Sequence, residues 1–193
     1  EVARLFESIA TLVIDRKSGR TLAADPRGVD PLQLAKAPST SEPTPARHRA
    51  TQVARLPERL LAYEIKLAGH EGIVLPIHGN GLWSTMYGFL ALGPDCRKVK
   101  GLTFYEHGET PGLGGEVDNP AWKALWPGKG ALDERGRPAV TVVKAGTVKD
   151  ADHEVDGLSG ATITGRGVAA MLDLWLGEAG YGPFLAQRAG LKE

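Results

Sequence analysis

The chain has 193 residues, 42% of them hydrophobic and 24% charged, and its 23 basic and 23 acidic side chains give zero formal net charge. That length supports one sizeable core or a core with an appended subdomain, and the balanced charge excludes a surface dedicated to nucleic acid, which needs an excess of Lys and Arg to neutralise phosphates. The single cysteine, Cys96, excludes an intramolecular disulfide and a cysteine-ligated iron–sulfur or zinc site within the chain, and no run of about 18 apolar residues is present to span a membrane.

The first 22 residues predict a strand-rich opening, with the β-branched run Thr11–Asp15 closed by a turn over Lys17–Arg20. Residues 36 to 58 differ in character: Lys36 to Pro45 is rich in Pro, Ser and Thr and predicts an extended surface excursion. Leu60–Leu67 and Glu71–His78 predict two strands of a hairpin around Ala68-Gly-His70, and Pro76 predicts that the second lies at an edge or carries a bulge. Thr85–Leu92 and Val99–Glu106 repeat the pattern around a turn at Gly93-Pro-Asp95, where Cys96 reads as a turn residue.

A short helix is predicted over Pro120–Trp126, capped by Asn119 with Pro120 at its first position, and a further strand over Ala139–Lys144. The clearest helix follows Thr162: Val168, Met171, Leu172, Trp175 and Ala179 form one apolar stripe, with Gly180 as its stop. Adjacent hairpins followed by helices predict an α+β fold with a largely antiparallel sheet and flanking helices. Residues 1–58 are expected to pack as a strand-rich segment and excursion on a core formed by residues 59–193. The start at Glu1 rather than Met implies a fragment or a processed form.

Chemistry concentrates in Asp156-Gly-Leu-Ser-Gly-Ala-Thr162, just upstream of the strong helix. A helix start exposes unpaired N–H groups and the positive end of the dipole, which suit a phosphate, while Gly160 and Ala161 leave room for a bulky ligand. The same residues also fit a plain Thr N-cap with a Gly-rich entry loop. Gly157-Leu-Ser-Gly-Ala161 falls short of a hydrolase elbow, because Ala replaces the last Gly and the preceding segment is too polar for a buried strand. The five histidines show no H-x-H or H-E-x-x-H spacing, so no metal site is expected. Gly112 to Val117 lacks the third Gly of a dinucleotide fingerprint.

Asp-x-x-Ser-Gly-Ala-Thr resembles the flavinylation motif of the FMN-binding domain shared by the C subunit of the sodium-translocating NADH:quinone reductase and the G subunit of the Rnf complex. His107-Gly-Glu-Thr-Pro-Gly-Leu-Gly114 is similar to a second segment of that family. Gly81-Leu-Trp-Ser-Thr-Met-Tyr-Gly-Phe-Leu-Ala-Leu92 and Glu116–Pro120 are similar to the sodium-pump branch in particular. The resemblance covers roughly residues 60 to 185.

The resemblance implies a covalent FMN held as a phosphoester on Thr162, with Asp156, Ser159, Gly160 and Ala161 as its context and Thr164 belonging to the helix start. It implies that Glu109, Thr110, Leu113 and Gly114 line the flavin. Trp83 packs near the isoalloxazine or serves as a core or edge aromatic, and Lys144 reaches the flavin or its phosphate or is simply solvated. It further implies a redox subunit that is not catalytic alone and that relays electrons toward ubiquinone in a sodium-translocating complex. Its implied partners are the other subunits and a flavin transferase. An N-terminal transmembrane helix, not part of this chain, is implied to hold the domain on the periplasmic face of a bacterial inner membrane. The alternatives are an electron carrier like the G subunit of Rnf and a flavin-free docking module.

Overall fold

The computed structural model describes residues 8–190, so the first seven positions of the strand-rich opening lie outside the described residues. Strand β1 (Ile9–Asp15) turns through Lys17–Arg20 into β2 (Thr21–Leu22), and the Asp15 carboxylate holds that turn by accepting from the Ser18 amide and hydroxyl. The short helix α1 (Pro31–Leu34) is capped by Asp30, which accepts from the Leu32 and Gln33 amides.

The Pro/Ser/Thr-rich stretch is not an extended excursion. It folds into a ribbon in which β3 (Ser41–Pro43) pairs antiparallel with β4 (Arg55–Pro57) around a 3-10 turn at Ala46–Thr51. The reason is tertiary: Arg55 donates from Nε to the Ser41 hydroxyl at 2.8 Å and from Nη2 to the Ser41 carbonyl at 2.6 Å. His48 is buried, and its Nδ1 lies 3.2 Å from Asp173.

Next come β5 (Arg59–Ile65), β6 (Gly72–Asn80), β7 (Thr85–Leu92) and β8 (Val99–Glu106), the two hairpins read from the sequence. They join the first strands in one antiparallel sheet of order β2-β1-β5-β6-β7-β8. Alternate residues of β6 and β7, among them Leu75, Ile77, Met86 and Leu90, point into the core, as the period of 2 requires.

Strand β6 is interior rather than an edge, which corrects the expectation from Pro76. Only Tyr63–Ile65 of β5 pair with β6, opposite Gly72–Val74, so β5 has already parted from β6 when Pro76 is reached and no ladder N–H is missed. The exposed seam is closed by side chains. The Tyr181 hydroxyl lies 2.9 Å from the Leu61 carbonyl and 3.0 Å from that of Pro76, donating to one at a time, and Trp175 Nε1 donates to the His78 carbonyl at 2.6 Å.

Helix α2 (Pro120–Lys123) is shorter than expected but starts as read, with the Asn119 side chain accepting from the Ala121 amide at 2.8 Å. The strand expected over 139–144 shrinks to β9 (Thr141–Val142), because its partner β10 (Glu154–Val155) offers only two residues in parallel register. Lys144 therefore opens a turn instead of ending a strand, its carbonyl accepting from the Thr147 amide. Helix α3 (Thr162–Leu176) stops at Gly177, three residues earlier than expected, and leaves Ala179 outside it; α4 (Gly182–Arg188) follows. Val168, Met171, Leu172 and Trp175 of α3 are buried alongside β6. Among the described residues no helix is long and apolar enough to cross a membrane.

Candidate functional site

Three segments meet where β6 ends: the Gly81–Ser84 turn between β6 and β7, the 107–115 loop after β8, and the first turn of α3. The residue before α3, Ala161, makes no side-chain cap bond, and Thr162 is the first helical residue rather than an N-cap. The Thr162 side chain is exposed, and its hydroxyl has no hydrogen-bond partner among the described residues. Thr164, two residues on, is 1% exposed and its hydroxyl donates to Glu109 Oε2 at 2.5 Å. Gly160 precedes the helix at φ +73, a backbone conformation that a side chain disfavours, and a Cβ there would stand 3.0 Å from Leu113 Cδ2. Ser159 is exposed on the same turn, and only the two residues of β10 precede it, which is not the strand of a hydrolase elbow.

Glu109 is 5% exposed and turns its carboxylate inward. It accepts from the Leu82 amide at 3.1 Å and the Trp83 amide at 2.9 Å as well as from Thr164. Burial works to raise its pKa, but the bonds from Thr164 and from the Trp83, Leu82 and Ser84 amides prevail and hold the carboxyl below its ordinary value. Gly81 and Gly114 make the room: a Cβ would fall 2.5 Å from Glu109 Oε1 at the first, and 2.6 Å from both Glu109 Oε2 and Thr164 Oγ1 at the second. The loop is held from behind by His107, which accepts at Nδ1 from the Glu109 amide and so donates from Nε2 to Asp118 at 2.8 Å.

On the solvent side the same segments present large apolar groups: Trp83 is 70% exposed, Ile163 54%, Leu113 45% and Leu82 42%. Trp83 is therefore not a core aromatic. Thr110 is also exposed, and its carbonyl accepts from the Leu113 and Gly115 amides. Beside this rim a cavity of about 200 Å³ is lined by Lys144, Gly157, Leu158, Thr162, Gly165 and Arg166. Asp156 sets one wall by accepting from the Gly146 amide at 2.7 Å, which holds the turn that carries Lys144.

The composition of the site suits a phosphate joined to a bulky group with an apolar face. A free hydroxyl, two cations and a helix start face the cavity, and an apolar rim stands beside it. Arg166, Leu82 and Ile163 were not singled out from the sequence. The i, i+4 spacing from Thr162 to Arg166 on a helix was the available signal for the first. A larger cavity of about 1210 Å³ lies elsewhere, an open trough by the β1–β2 turn. It holds none of the expected site residues, and Arg16, Lys17 and Arg137 there are already paired with Glu42 and Asp133.

The FMN-binding domain family matches residues 81–177, which span all three segments. The chain is 47% identical over 192 residues to the C subunit of the Na(+)-translocating NADH-quinone reductase of Pseudomonas aeruginosa, covering 96% of this chain and 74% of that protein. Among solved structures, Shewanella oneidensis NqrC superposes with a TM-score of 0.86 at 34% identity, covering 98% of this chain and 88% of that one. The corresponding C subunit from Parabacteroides distasonis superposes at 0.73 with 26% identity, covering 96% and 82%.

Proposed function

The chain belongs to the FMN-binding domain family, among the C subunits of Na(+)-translocating NADH-quinone reductases, and on that footing we propose that it carries FMN as a phosphoester on Thr162 and relays electrons toward quinone. The observation that carries the attachment is the contrast at the head of α3. Of its two threonines, Thr162 alone offers a free, exposed hydroxyl, and it opens onto the cavity that Lys144 and Arg166 share.

Bound FMN supplies reversible uptake and release of electrons; the chain supplies position and electrostatics. Attachment forms the bond from Thr162 Oγ1 to phosphorus as the pyrophosphate of FAD breaks, releasing AMP and the hydroxyl proton, with a flavin transferase as the catalyst. The resulting phosphodiester carries one negative charge, which Lys144, Arg166 and the amides of the helix start offset. Ser159, Gly160 and Ala161 keep the approach to Thr162 open. Trp83, Thr110, Leu113 and Gly114 form the wall toward the ring, and Glu109 stands behind it. In this reading residues 1–58 pack on the FMN-binding core of residues 59–193. The domain works on the periplasmic face of the inner membrane beside the other subunits, and it is not catalytic alone.

The test is the intact mass of the chain produced alongside a flavin transferase, followed by peptide mapping. An FMN adduct on the peptide containing Thr162 is expected. An unmodified mass, or an adduct on another residue, overturns the assignment.

A further inference from the structure

Glu109 poses a problem of its own: it is a buried carboxylate with no cationic partner among the described residues. Burying an unpaired charge is costly unless hydrogen bonds replace its hydration. Here the donors come from two places far apart in sequence, the Leu82 and Trp83 amides on the β6–β7 turn and the Thr164 hydroxyl on α3. The chain also forgoes side chains at Gly81 and Gly114 to seat this one group.

We propose that Glu109 and Thr164 form a positioning clamp for the flavin site: the carboxylate does not contact the flavin, but ties the turn bearing Leu82 and Trp83, the loop bearing Leu113 and the first turn of α3 into one unit. The proposal rests on the FMN reading for its purpose and on geometry for its existence. A carboxylate suits the task because it only accepts, so the backbone amides of the turn and the Thr164 hydroxyl all point at it without conflict, whereas an amide in its place presents N–H groups to one of them. The clamp also accounts for the choice of threonine in the FMN reading. Thr164 is enclosed with its proton engaged, while Thr162 is left outside, and the apolar rim is held at a fixed distance from it.

The experiment compares Thr164→Val, which keeps the shape and loses the donor, with Thr164→Ser, which keeps the donor, and with Glu109→Gln. Hydrogen exchange at the Leu82 and Trp83 amides of the flavin-free 193-residue chain is the first readout. Exchange roughly tenfold faster or more is expected in Thr164→Val and Glu109→Gln, the scale of a charge-assisted hydrogen bond, with Thr164→Ser within about twofold of the parent. The second readout is the visible flavin band of the loaded chain, which shifts in Thr164→Val while the adduct stays on Thr162. Parental exchange in Thr164→Val overturns the clamp. A parent chain that gains no flavin mass overturns the attachment instead, and the exchange measurement still decides the clamp.

Discussion

Thr162 and Thr164 stand two residues apart on α3, yet one presents its hydroxyl to solvent and the other is 1% exposed with its hydroxyl on Glu109. A helix turns about 200° over two residues, so neighbours at that spacing face nearly opposite ways. Thr162→Ala is therefore expected to remove covalent flavin while leaving stability within about 0.5 kcal/mol, since the residue is exposed and no side-chain bond caps the helix there. In-gel flavin fluorescence and a thermal melt together check it; a large fall in melting temperature would assign Thr162 a structural role.

Gly114→Ala is expected to behave in the opposite way. Its Cβ would lie 2.6 Å from both Glu109 Oε2 and Thr164 Oγ1, so the pair must separate. A loss of about 1–3 kcal/mol follows from such overpacking, readable by denaturant titration of the flavin-free chain. Parental stability would show that the loop yields freely.

Tyr181→Phe tests the seam between β5 and β6. The hydroxyl serves the Leu61 and Pro76 carbonyls in a fully buried position, and its removal leaves one of them without a donor. The expected cost is about 1–3 kcal/mol. Equal midpoints for the two proteins would mean that another donor takes over.

His78 makes stability depend on mild acid. Burial lowers its pKa from 6.5 to about 4, and it lies between Tyr87 and Trp175 at ring distances of 5.6 and 4.9 Å. The unfolded chain takes up a proton that the folded chain refuses, so the contribution is complete above pH 6.5 and is lost as pH falls from 6.5 to about 4. At about 1.4 kcal/mol for each pH unit the full loss is on the order of 3 kcal/mol. Melts between pH 7 and pH 4 should decline less steeply in His78→Phe; parallel curves would place the acid sensitivity elsewhere.

Both hairpins and the apolar stripe of α3 were legible because they rest on local period and turn residues. What was missed depends on contacts distant in sequence. The ribbon at Ser41 and Arg55 is joined by hydrogen bonds that composition does not encode. Pro76 obeys its rule only because the sheet divides beside it, and nothing near Pro76 announces that division. At the site, motif resemblance pointed to Thr162 and to the loop bearing Glu109. The inward turn of Glu109 follows from space left by Gly81 and Gly114, residues far apart in the chain.

The divided sheet bears on how the molecule comes apart. Seven residue pairs join β1 to β5 and eight join β6 to β7, but only three join β5 to β6. Backbone continuity is thinnest along that line, which the Tyr181 hydroxyl spans by reaching the carbonyls of both Leu61 and Pro76. The core nevertheless runs across that line, since Ile14, Leu60 and Ala62 belong to one buried cluster with Leu75, Leu90 and Met171. Every residue assigned to the flavin lies on the β6 side of that line in sequence, within the family-matched stretch 81–177. A strand pairing this short in mid-sheet leaves the shared apolar core, rather than the hydrogen-bonded ladder, to hold β5 against β6.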